Sequence, residues 1–230
     1  MENLKNLQML CNYRRLSNIR RANNLPTLQT EDVAQHSFYV AILALTLAED
    51  YNAHVAEYNR QFHPLDTENT YELVNTAQVI RQALFHDMEE VFTSDIPWNV
   101  KHHDNETNVA IRRCIWEKLK TVYQGTTSPV SEHEFLICTA KNGLAGDFVN
   151  IADSLEGTWF CYEELIMGNR YIQGLFLKYL DVVQTNPFVS VLYRFSPLFT
   201  DIVNMFLERA QQQFESSLMI TVPEKVMILD

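Results

Sequence analysis

Apolar residues recur at three- and four-residue intervals along almost the whole chain, and the period-two alternation of a half-buried strand is scarce. Leu4, Leu7, Leu10 and Cys11 share one face that continues through Leu16 and Ile19, until Asn23, Asn24 and Pro26 end a first helix. Thr30-Glu31-Asp32-Val33 reads as the next start, with Thr30 as the cap and acids in the first turn. That helix is expected to reach about Tyr51 on a stripe of Val33, Val40, Leu43, Ala44 and Leu47. A polar loop from about Asn59 to Asn69, carrying Pro64, leads to a helix over about Tyr71–Phe92, closed by Asp95-Ile96-Pro97. Further helices are expected over Asn105–Tyr123, Ser131–Ile137, Phe148–Met167 with Gly168-Asn169 as its stop, Tyr171–Gln184 and Ser196–Phe214. The tail from Leu218 to Asp230 reads as a short strand or a disordered end. The pattern predicts an all-α protein, a compact single-domain helical bundle over residues 1–230.

Composition narrows this picture. With 47% hydrophobic and 20% charged residues, 230 positions can bury a core without disulfides or structural metals. A formal net charge of -11 excludes nonspecific binding to a nucleic-acid polymer, which needs clustered Lys and Arg. It leaves room for a small phosphorylated substrate, because a local metal and a few cations override the global field. Cys11, Cys114, Cys138 and Cys161 are widely spaced and read as free thiols of a reducing compartment. No signal-peptide core and no run near the roughly 20 apolar residues of a membrane span occurs, so a cytoplasmic protein is expected.

Chemistry concentrates where polar residues interrupt apolar faces. His86-Asp87 sits between Leu84-Phe85 and Met88, Val91 and Phe92, where an ionised Asp needs a partner. A divalent metal satisfies imidazole and carboxylate together, although a salt-bridged pair is the commoner reading of such a dipeptide alone. His36 in VAQHSFYVAILAL would alone read as a hydrogen-bonded core histidine, and Asp153 in VNIADSLEG as a mid-helix salt bridge. Four such residues on three helices fit a metal site held within a bundle. Glu90, three residues after Asp87 and four after His86, shares their helix face, while Glu89 points away as a solvated charge. Phosphate loops of the GxxxxGK[ST] type, GxSxG elbows and HExxH helices are absent, and His102-His103 reads as an exposed pair.

The order His…His-Asp…Asp resembles the signature of HD-domain phosphohydrolases. TEDVAQHS, LFHDMEEVFTSDIP and IADSLEGTWFCYEELIMGN resemble the 5′-deoxynucleotidase branch of that superfamily, over roughly residues 10 to 170. The resemblance implies an HD-type fold with a motif-bearing core over about 10–185 and a C-terminal helical extension over about 186–230. It implies His36, His86, Asp87 and Asp153 as ligands of one divalent metal (Co, Mn, Zn, Fe or Ni), with room beside it for water and a phosphate oxygen. It implies Glu90 as the catalytic glutamate and Asp95 as the residue that protonates the leaving alkoxide or holds the sugar 3′-hydroxyl. Arg21 matches the branch's phosphate-binding arginine, and Lys101 is a further phosphate contact. Ala22 departs from the branch, which often carries tryptophan there to exclude the ribose 2′-hydroxyl; Trp98 offers a stacking surface, and Trp116 and Trp159 read as core.

The implied reaction is hydrolysis of a (deoxy)nucleoside 5′-monophosphate to nucleoside and orthophosphate. The alternatives on the same ligands are a dNTP triphosphohydrolase releasing tripolyphosphate, hydrolysis of signalling nucleotides, and a nucleotide-binding regulatory module without turnover. A homodimer is expected, with Leu198, Ile202, Met205 and Phe206 forming an interface or packing on the core.

Overall fold

The computed structural model describes residues 7, 11–62, 70–97, 100, 104–123 and 141–214. Its helices are α1 (Val33–Phe62), α2 (Thr76–Phe85), α3 (Glu90–Thr93), α4 (Asn105–Tyr123), α5 (Gly143–Ile166), α6 (Gln173–Thr185), α7 (Val189–Phe195) and α8 (Pro197–Phe214). Among the described residues no strand forms, and Arg20 and Asp32 make a lone antiparallel bridge. The expected Ser131–Ile137 helix, the tail, Cys138, Trp98, Lys101 and His102-His103 lie outside the described residues.

The central pair is α1 and α5, with α2 on one side and α6, α7 and α8 closing the other. Val40, Ala44, Leu47 and Val55 of α1 are fully buried against Phe148, Val149, Ile151 and Leu155 of α5. Phe176, Leu192, Phe199, Val203 and Phe206 complete the same core. The C-terminal extension is therefore part of the core: Phe206 is buried, and Leu198, Ile202 and Met205 pack half-buried against it. Trp159 departs from expectation, being exposed with its edge on the Phe206 ring, and Trp116 is half-buried beneath Lys120.

Several boundaries differ from the sequence pattern, each for a local reason. The first helix stops early, giving way to a 3-10 turn at Arg15–Asn18 so that residues 19–21 can pair with 31–33. Asp32, not Thr30, caps α1: its carboxylate accepts from the Gln35 N–H at 2.8 Å while Gln35 Oε1 accepts from the Asp32 N–H, a reciprocal capping box. α1 runs past Tyr51 to Phe62 because Asn52 and Asn59, two turns apart, grip the backbone of an extended stretch. Asn52 bonds both the N–H and the carbonyl of Val74, and Asn59 does the same for Tyr71. Those side chains imitate a strand's ladder and keep 71–75 extended, so α2 begins only at Thr76, capped by Asn75.

α5 ends at Gly168, whose φ of +95° is a left-handed backbone that glycine adopts without strain. In the last turn of α5 the buried Glu164 carboxylate collects the N–H groups of Leu28 and Gln29 and the Asn169 amide, at 2.6–3.0 Å. Asn169 also donates to the Pro26 carbonyl at 2.7 Å. This knot straps the loop over residues 22–30 to α5. These donors hold the Glu164 carboxyl below its usual range despite its burial. A depressed carboxyl adds stability above its unfolded pKa and loses it as pH falls through the folded value. Glu164→Ala is expected to lower stability at neutral pH by about 2–3 kcal/mol, since it strands buried donors, and to flatten the acid limb of the stability profile. Denaturant melts at pH 7 and pH 4 check both; equal losses at the two pH values would refute the charged knot.

Candidate metal centre

Three helices deliver the chemistry-bearing residues. His36 lies in the first turns of α1, His86 and Asp87 follow α2, and Asp153 sits mid-way along α5. His86 is not inside a helix as its surroundings suggested: it caps α2, and residues 86–89 form a turn before α3. The cause is local. Its Nδ1–H donates to the Ala83 carbonyl at 2.6 Å, the acceptor a continuing helix would offer to the Asp87 N–H. The turn swings Asp87 beside His86.

The four side chains converge. His36 Nε2 and His86 Nε2 face each other at 3.2 Å, and Asp153 Oδ1 lies 3.1 Å from the first and 3.9 Å from the second. Asp87 Oδ2 lies 3.6 Å from His36 Nε2 and 3.2 Å from His86 Nε2. Donors about 2.0–2.2 Å from one ion lie roughly 3.0–3.6 Å apart, so His36, His86 and Asp153 are close to the spacing one divalent cation asks for, and Asp87 Oδ2 stands beside both imidazoles. Both imidazoles and Asp153 place one ligand atom each within 4.8 Å of the others, and Asp87 Oδ2 approaches the two imidazoles from outside that trio.

A backing layer orients these donors, and sequence reasoning missed it. Glu156 Oε2 lies 2.5 Å from His36 Nδ1, so His36 keeps its proton there and turns Nε2 inward, as the Ala83 carbonyl makes His86 do. Glu156 is one helical turn beyond Asp153 and shares its face, a spacing that could have revealed it. Glu31 lies beside Glu156; burial, then the Glu156 charge, pushes its carboxyl up to about 8, so it carries a proton shared between the pair. Burial and the Arg21 charge push His36 down, but Glu156 and Asp153 prevail and raise it to about 10. Asp153 stays well below its usual range because Lys141 and both imidazoles outweigh its burial. The cluster is built to hold positive charge.

Arg21 is the inward member of the Arg20-Arg21 pair. Its N–H donates to the Glu31 carbonyl at 2.9 Å, and its guanidinium sits 3.8 Å from both Glu31 Oε2 and Asp87 Oδ2. Arg20 is exposed and bonds Thr27. Asp95 Oδ2 accepts from the Ala22 N–H at 3.0 Å. Glu90 is buried at the start of α3, three residues past Asp87, and Glu89 is half-buried rather than solvated. Ala22, Ser94 and Lys141 are the non-glycine residues of positive φ among those described. The first donates to Asp95, the second precedes it, and the third pairs with Asp153. Strained backbone gathers at this site, where surroundings over-determine it.

Comparisons with known proteins place the chain in a family and a fold. Residues 8–195 match the family described as 5′-deoxynucleotidase YfbR-like. The chain is 29% identical over 169 residues to a 5′-deoxynucleotidase of Enterobacter sp. (strain 638), covering 69% of this chain and 74% of that protein. It is 29% identical over 175 residues to the 5′-deoxynucleotidase YfbR of Escherichia coli, covering 73% and 77%. An HD-domain phosphohydrolase from Listeria innocua shares the fold at a TM-score of 0.65 and 19% identity, covering 90% and 94% of the two chains. A cyanophage S-2L HD phosphohydrolase, DatZ, described as bound to dA and one catalytic Zn2+ ion, superposes at a TM-score of 0.53 and 16% identity, covering 88% and 94%.

Glu156→Gln keeps the shape but removes the charge behind His36. It is expected to weaken divalent-metal affinity about ten- to a hundredfold with an unchanged far-UV circular dichroism spectrum. Calorimetric metal titration checks this, and a wild-type affinity would refute the orienting role.

Proposed function

Because the chain belongs to the YfbR-like 5′-deoxynucleotidase family, we propose that it hydrolyses nucleoside 5′-monophosphates, deoxy forms preferred, to nucleoside and orthophosphate. The observation that carries this reading is the convergence of His36, His86, Asp87 and Asp153 on one ion-sized point.

These four residues would hold a divalent metal, which when bound supplies the Lewis acid that activates water and draws charge off the phosphoryl oxygens. The chain's own residues do the rest. Arg21 orients the phosphate, its guanidinium offering paired donors to two oxygens. Glu90 takes the proton of the attacking water as the new P–O bond forms. The bond from phosphorus to the sugar O5′ breaks, and that oxygen takes its proton from a solvent water, whose hydroxide is neutralised by the proton Glu90 gives up. Asp95, pinned through Oδ2 by the Ala22 N–H, presents its carboxyl to the sugar. Lys101 remains a proposed phosphate contact from the sequence.

A homodimer is part of the same reading. Its support has moved from α8, which packs on the core, to the exposed Phe38, Tyr39 and Ile42 of α1. No helix among the described residues is long and apolar enough to cross a membrane, and Cys11, Cys114 and Cys161 are free thiols, which supports a cytoplasmic setting.

Metal-loaded protein is expected to release orthophosphate from deoxynucleoside monophosphates, and Asp87→Ala to lose bound metal together with at least about a thousandfold of turnover. A panel of mono- and triphosphates with product identification checks this. Tripolyphosphate from a triphosphate would replace the reading with the triphosphohydrolase one, and no phosphate from any nucleotide would end it. Sedimentation velocity of wild type against Ile42→Glu tests the dimer, which the charge should split.

A further inference from the structure

Each ligand carboxylate is backed by a cation, and only one of those cations has been given a task. Arg21 Nη1 stands 3.8 Å from Asp87 Oδ2. Lys141 Nζ forms a close ion pair with Asp153 Oδ2, while the carboxylate's other oxygen, Oδ1, is the one nearest the imidazoles. The His36 and His86 side chains are wholly sealed, whereas those of Asp87, Asp153, Arg21 and Lys141 are 16–28% exposed. The site therefore opens along its carboxylate and cation rim. An anion arriving from solvent meets that rim first.

The backbone holds Lys141 in place. Its φ of +49° is a left-handed conformation that a residue with a Cβ takes up at a cost. Its carbonyl occupies the space where a Cβ on residue 146 would project, so this turn can pack on α5 only because position 146 is glycine. The ion pair engages one of the three ammonium donors and leaves two for a second anion. In a chain of net charge -11, a dianionic substrate depends on such local cations.

We propose that Lys141 is a substrate-binding residue that grips a phosphoryl oxygen from the Asp153 side of the site, while Arg21 holds the phosphate from the Asp87 side. The proposal rests on the monophosphatase reading and specifies how its substrate is held. It predicts a defect confined to phosphate-bearing ligands. A purely structural Lys141, serving only to neutralise Asp153, predicts that any change lies in metal binding while phosphate inhibition at saturating metal stays unaltered.

The test compares wild type, Lys141→Met and Lys141→Arg, each saturated with the same divalent metal. Inorganic phosphate and deoxyadenosine serve as separate competitive inhibitors, alongside KM for deoxyadenosine monophosphate and a direct metal titration. Lys141→Met is expected to weaken phosphate inhibition and raise KM about ten- to a hundredfold. Deoxyadenosine inhibition should stay unchanged, metal affinity should be equal or tighter, and Lys141→Arg should recover much of the loss. Unaltered phosphate inhibition, or a loss of metal affinity that accounts for the KM change, overturns the proposal. A wild-type protein that hydrolyses no monophosphate fails the function reading instead, and phosphate binding measured by calorimetry then still decides whether Lys141 holds the anion.

Discussion

Two imidazole nitrogens 3.2 Å apart, both aimed at the same point, set the central constraint on this molecule. His36 commits its Nδ1 proton to Glu156 and His86 commits its own to the Ala83 carbonyl, so each presents a lone pair at Nε2. Lone pairs so oriented repel unless a cation stands between them. A proton is the minimal answer. A divalent ion answers more fully, because it also meets the Asp87 and Asp153 oxygens that complete the ring.

The surrounding fold serves to keep that convergence from relaxing. α1 and α5 are locked face to face by Leu47, Phe148 and Ile151, which fixes His36 against Asp153 and Glu156. The break after α2 sets His86 and Asp87 on a turn rather than on a continuous helical face. The Arg21 loop has little packing of its own and is held by two borrowed attachments: the short pairing of residues 19–21 with 31–33, and the Glu164–Asn169 knot at the end of α5. Two packed helices and the turn that follows α2 thus present the candidate metal donors, while the strapped loop carries Arg21.

Much of this was legible because the relevant signals are local. A carboxylate or imidazole among apolar neighbours marks itself, and the order of His36, His86-Asp87 and Asp153 links the marks. The helix over Asn105–Tyr123 follows its period to both ends, and Ser196 announces α8 by capping it. What escaped depends on distant partners. Asn52 and Asn59 look like surface polars until the stretch 71–75 lies beside them, and Thr30 looks a better cap than Asp32 until Gln35 answers Asp32. Lys141 carried no signal at all, since neither its left-handed backbone nor its approach to Asp153 follows from KNG.

Glu163-Glu164-Leu165 and Gly168-Asn169 show how a family motif can be functional without touching the chemistry. Glu164 and Asn169 bind backbone atoms of residues 26–29, and their yield is the position of Arg21 some residues earlier. The same logic bears on Ala22. What holds Asp95 is the residue 22 N–H, a group every amino acid but proline provides, so replacing the tryptophan often found there removes bulk without releasing Asp95. The anchoring of Asp95 and the bulk of the residue-22 side chain are therefore separable in this architecture, and this chain keeps the first through its backbone while the second is reduced to a methyl group.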